Sequence, residues 1–174
     1  MGVVILQADD IRLLFDYSYS ATGRILDAAR QLSTVQFTSA PPLEGGVSLQ
    51  HTLAHMLDTE QVWHEELRTG QPSTAAELDP ADFPDVAALA AAWDADEERM
   101  RAWLVTLDDA DMNASEYADM NTQDLNGGLW WQCLTHVVNH STQHRSEAAM
   151  VLTHWGQSPG DLDLTFYLRG WRDD

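Results

Sequence analysis

Four long stretches of helical period, each closed by proline or glycine, leave this chain few folds to choose from. In the first, from Asp9 to Leu32, the apolar residues Ile11, Leu14, Phe15, Tyr19, Ile25 and Leu26 recur at helical spacing, with Asp9 or Asp10 available as cap. Paired prolines and paired glycines between Thr38 and Gly46 forbid its continuation. A second stretch opens at Ser48, a good cap, and runs to Thr69, where Gly70 and Pro72 stop it. An acidic loop follows over 70–84. The third stretch, Asp85 to Leu107, is rich in Ala and carries Leu89, Trp93, Met100, Trp103 and Leu104. The polar run from Asp108 to Gly128 has no strong period and reads as a long connection. The fourth stretch, Leu129 to Trp155, closes on Gly156, with Pro159 just beyond. No alternating strand pattern competes. Amphipathic helices of this length bury their stripes most simply against one another, which predicts an all-α, single-domain four-helix bundle over 1–174 with long inter-helix connections. The apolar residues of the tail after Gly156 are enough to dock it on that bundle.

Charge narrows the function. The formal net charge is -19, from 28 acidic and nine basic residues, and every basic residue is Arg. Without a lysine there is no Schiff-base chemistry and no Walker-type phosphate loop. The acidic excess repels a phosphate backbone and opposes an anionic leaflet, so neither nucleic acid nor membrane is an expected partner. No apolar run reaches the roughly 18 residues of a membrane span. One cysteine, Cys133, allows no intrachain disulfide. With no basic, apolar leader at Met1, a cytoplasmic location is expected.

The histidines point to chemistry. His136, His140 and His144 lie four apart on the fourth helix, and His51 and His55 form another such pair on the second. Residues four apart stand one turn above each other, so such a pair can chelate one metal ion. Imidazole suits Zn, Ni, Cu and Fe, and three protein ligands leave a position open. With Cys133 as origin, His140 and His144 fall in the middle of the apolar stripe, and His136 falls at its edge beside Glu147 and His154. Buried imidazoles need partners: a metal, or neighbouring hydroxyls and carbonyls. His55 stands about 130° from the centre of the second helix's stripe and so points to a flank, with His51 further out. Periodicity therefore supports half a metal site and leaves the other half open. His64 and His154 read as surface or edge residues. Cys133 lies about 10 Å along the axis from His140 and reads as a buried structural thiol. The Glu/Asp-x-x-His spacing of di-iron bundles is missing, which disfavours a ferritin-like centre.

Four pieces of the chain resemble the DinB/YfiT-like superfamily of metal-dependent four-helix-bundle proteins. Leu14–Ala21 with Arg24-Ile25-Leu26 looks like its first helix, and Ser48–Glu60 with Trp63 looks like its second. Asn139-His140-Ser141-Thr142-Gln143-His144-Arg145 resembles its Asn-His-x-x-x-His-Arg helix, and Gly156–Asp163 with Phe166-Tyr167-Leu168 is similar to its closing segment. The likeness spans nearly the whole chain, the fourth-helix piece being the most specific. It implies a divalent metal (Zn, Ni, Fe or Mn) held by His55, His140 and His144, since the His-x-x-Asp-Ser/Thr context matches at His55 and not at His51. The chain departs from the usual pattern in having Ser146-Glu147 where Gly-Gln often follows. Characterised relatives include S-transferases that use bacillithiol or mycothiol.

The reading that follows is a metalloenzyme acting on a small-molecule substrate, a thiol S-transferase or hydrolase-like protein, with a low-molecular-weight thiol such as bacillithiol or mycothiol as co-substrate. Around the metal ligands, Asp58, Gln143, Glu147 and Arg145 are the candidate supporting groups. Arg145 is expected either to receive an anionic substrate group or, preferably, to pair with a surface carboxylate. The rival is a metal-stabilised structural or dimerisation module without turnover, and a homodimer stays open in either case.

Overall fold

The computed structural model describes residues 6–42, 46–113 and 129–171. It is all-helical, with no strand among these residues. Four long helices, α1 (Ala8–Ala29), α3 (Leu49–Thr69), α4 (Val86–Leu104) and α5 (Trp130–His154), form the bundle; short α2 (Thr34–Thr38) lies between α1 and α3, and short α6 (Leu164–Leu168) follows α5. The expected ends shift by a few residues. The first helix starts one residue earlier, capped by Gln7, whose N–H donates to Asp10. Asp109, from the connection after α4, accepts the Ala8 N–H at 2.9 Å, so a remote carboxylate closes this helix start. The third helix is shorter than its pattern, with Asp85 as its cap and its end at Leu104. Helix α2 lies in a stretch that carries no long period; its Ser33–Gln36 capping box and the buried Phe37 account for it. Of the connection after α4, Asp111–Asn113 forms one 3-10 turn; residues 114–128 lie outside the described set.

The closing segment docks as expected. Tyr17 donates its hydroxyl to the Leu162 carbonyl at 2.8 Å, and the Arg24 guanidinium reaches the Pro159 carbonyl. Gly160 is needed here: its φ is +74°, and a Cβ would sit 3.0 Å from an Arg24 terminal nitrogen.

Helix period alone does not describe the interior. The core splits into two apolar clusters, one around Ile25, Leu53, Leu57, Leu89, Trp93 and Leu152, the other around Phe15, Leu67, Met100, Leu104, Leu134 and Val137. Between them along every long helix sit buried polar residues: Ser18 and Thr22 on α1, Glu60 and His64 on α3, Asp96 on α4, Ser141 and Arg145 on α5. These polar residues keep the apolar rhythm unbroken. On α3 it runs Leu53, Leu57, Glu60, His64, Leu67; on α4, Leu89, Trp93, Asp96, Met100, Leu104. A polar layer therefore crosses the bundle at mid-height.

That layer corrects the helix phase expected for α5. Its buried face holds Trp130, Cys133, Leu134, Val137, Val138, Ser141, Arg145, Ala148, Val151 and Leu152. The centre of this face lies roughly 70° around the helix from the Cys133 origin, away from His140 and His144. His140 and His144 are half-buried at the margin, not in the middle.

Candidate metal centre

Two antiparallel helices build the site. Helix α3 runs beside α5 so that Trp63 meets His136, Glu60 meets Ser141, and His55 meets His140 and His144. Ser48 fixes the start of α3 by accepting the His51 N–H, and Gly70, left-handed at φ 65°, ends it. His55 is exposed on the flank of α3, as its phase predicts, and α5 supplies the groove wall that it faces.

The three imidazoles converge. Ring centroids lie 4.4 Å apart for His140 and His144, 4.8 Å for His55 and His144, and 5.4 Å for His55 and His140. One ring nitrogen from each lies within 4.8 Å of the others. The Nε2 atoms of His140 and His144 stand 3.1 Å apart. Two ligand nitrogens on one tetrahedral zinc ion, each about 2.0–2.1 Å from it, would stand about 3.3 Å apart, so this spacing fits a shared cation. The chemistry of the donors fits as well. Burial, with His144, His55 and His136 nearby, lowers the His140 pKa to about 4, so its ring is neutral at pH 7, the form that binds metals. His140 Nδ1 is buried with no partner.

Of the candidate supporting groups, Glu147 touches the histidine cluster. Its carboxylate lies 2.7 Å from His144 Nδ1, which fixes the ring and leaves Nε2 turned to His140. The other candidate supporting groups stand elsewhere. Asp58 accepts the Leu78 N–H at 2.9 Å and ties α3 to the acidic loop. Gln143 is exposed. Arg145 corrects the expected surface pairing: it is 1% exposed and turned inward, donating to the Ser18 hydroxyl at 2.6 Å and to Thr142 at 2.8 Å. His136 is exposed, its ring 5.1 Å from Trp63 and 6.0 Å from His140, and neither it nor His51 belongs to the converging set. His154 is exposed, as expected.

His64 is a second correction. Expected at the surface or an edge, it is buried against Trp103 at 5.7 Å, because it holds an inward position in the α3 rhythm. Glu60, which sequence reasoning did not single out, lies wholly inside the bundle and accepts the Ser141 hydroxyl at 2.7 Å. Burial pushes its pKa up to about 7, with Asp96 adding to the rise against the Ser141 hydrogen bond and Arg145. Burial likewise raises the Cys133 thiol to about 11, so this cysteine is protonated at neutral pH.

A family model described as the DinB family matches residues 6–173. The chain belongs to the DinB family. A comparison with curated proteins found no match. The DinB-family match covers all four long helices and the docked closing segment. No described helix is long and apolar enough to cross a membrane.

Proposed function

We propose that this DinB-family protein binds a divalent cation through His55, His140 and His144 and uses it to activate a low-molecular-weight thiol for transfer to an electrophile. The observation that carries the reading is the convergence of three imidazoles from two helices on one point, with His55 exposed to solvent. A bound divalent cation would lower the pKa of a thiol or water at its free position, holding a thiol as thiolate at neutral pH. The chain's own residues do the rest. Glu147 orients His144 through Nδ1. Trp63 and His136 wall the groove beside His140 with aromatic surface on which a substrate can lie. Cys133, protonated and on the buried face of α5, takes no part in the transfer.

The test is metal-dependent consumption of a generic electrophile, such as monochlorobimane, by the zinc-, nickel-, iron- or manganese-loaded chain supplied in turn with bacillithiol, mycothiol, glutathione and coenzyme A. Turnover with one thiol that vanishes on chelation is the expected result. Metal binding without turnover across the panel would overturn thiol transfer. It would favour a structural reading, in which the ion clamps α3 to α5, because the ligands come from both helices.

A further inference from the structure

Arg145 and His144 are successive residues, yet they serve opposite sides of α5. On the side away from the histidines, a cavity of about 530 Å³ opens between α1, α5 and the closing segment. That volume lies in the range of small-molecule sites. Leu14, Val138 and Leu162 give it apolar walls, Asn139 and Ser146 line it with polar groups, and Arg145 lies beneath. We propose that this cavity binds a small organic carboxylate with a short apolar body, its carboxylate drawn to Arg145.

Charge accounting carries the assignment. A guanidinium taken out of water needs a counter-charge. Arg145 is 1% exposed, but its hydrogen bonds go to a backbone carbonyl and to hydroxyls: the Ser18 carbonyl and hydroxyl, the Thr142 hydroxyl and the Tyr17 hydroxyl. It forms no ion pair with a carboxylate among the described residues. Glu60, the buried acid that acts on it electrostatically, is engaged by Ser141 instead. Asp163, the acid that lines the cavity, is exposed at its rim and accepts the N–H and hydroxyl of Thr165 as the cap of α6. The interior of a strongly acidic protein thus presents an incompletely balanced cation beneath a cavity. In that low-dielectric setting an incoming carboxylate is attracted far more strongly than at the surface. The Tyr17 ring, 5.4 Å from the guanidinium carbon, stacks against it and lines the same cavity, which suits a flat or short apolar body. The site is separate from the metal centre, and its occupancy does not depend on the metal reading.

The probes are benzoate and its neutral isostere benzamide, titrated into the full chain with and without zinc and followed by ¹⁵N amide shifts. We expect benzoate to move the amides of Val138, Asn139, Thr142 and Leu162 and to bind at least about tenfold more tightly than benzamide, with or without zinc. Ser146→Trp, at an exposed lining position, should block the cavity and abolish benzoate binding while metal content and melting temperature stay at wild-type values. Arg145→Gln should erase the preference for benzoate; should it fail to fold, the benzamide and Ser146→Trp comparisons decide. Equal binding of benzoate and benzamide would overturn the proposal. So would binding weaker than about 10 mM, binding that survives Ser146→Trp, or shifts confined to the surroundings of His55, His140 and His144.

Discussion

His144 and Arg145 turn one helix into two surfaces. The His144 Nε2 lies 3.1 Å from His140 Nε2 in the α3–α5 groove, while Arg145 reaches the Ser18 hydroxyl of α1 at 2.6 Å through the interior. Successive helical residues point about 100° apart, so a single step along α5 separates a metal-type site from a buried cation.

Ligands should separate cleanly from bystanders. His55→Ala, His140→Ala and His144→Ala are each expected to lose bound metal, because each removes one arm of a chelate. His51→Ala, His136→Ala and His154→Ala are expected to keep close to wild-type stoichiometry. Metal analysis of protein purified without a nickel column reads the difference. Loss in His136→Ala with retention in His140→Ala would mean the site belongs one turn nearer the start of α5.

In the proposed site Glu147 would act on the metal only through His144. Removing its carboxylate in Glu147→Ala should lower metal affinity by about 10–100-fold, the usual effect of losing a group that orients a ligand. Competition with a chelator of known affinity measures it. Unchanged affinity would make the 2.7 Å contact a surface ion pair and nothing more.

The buried Glu60 predicts a pH dependence with a definite sign. Its folded pKa, about 7, lies above the ordinary value of 4.5. Its favourable share of stability is therefore complete below the unfolded value and is lost as pH rises through the folded one. At about 1.4 kcal/mol per unit, the loss is on the order of 3 kcal/mol. Glu60→Gln removes the titration. Chemical unfolding in chelator should thus show wild type losing more stability than Glu60→Gln between about pH 5 and about pH 8. Parallel slopes for the two proteins would contradict the burial assigned to this carboxyl.

Gly160→Ala should destabilise the docked tail by roughly 1–2 kcal/mol. The strain comes from the positive φ, since the Arg24 terminus that a Cβ would meet can swing aside. Thermal unfolding measures the shift, and a variant as stable as wild type would show that the turn relaxes freely.

Repeating apolar residues between strong breakers made the four long helices legible, because period and punctuation are local properties of a chain. The His-x-x-x-His pair of α5 was legible for the same reason: one turn of helix brings residues four apart together. Which side of α5 faces inward was not. Hydrophobicity marks Ser141 and Arg145 as outward, yet both continue the inward rhythm of Leu134, Val137, Ala148 and Leu152. Glu60, His64 and Asp96 do the same on their helices. Unbroken phase, more than residue polarity, was the signal that would have found the polar layer and moved His64 inside.

His55 shows where sequence stops. Its own helix places it on a flank, and nothing in α3 says what lies opposite. Only the packing of α3 against α5 brings its ring within 4.8 Å of His144 and makes a three-sided site from a pair and a bystander. The buried charge of Arg145 has the same origin, since a guanidinium is held inside only when other helices supply its partners. Local spacing determines which residues share a turn. The register between helices, set by packing along their whole length, decides which turns meet.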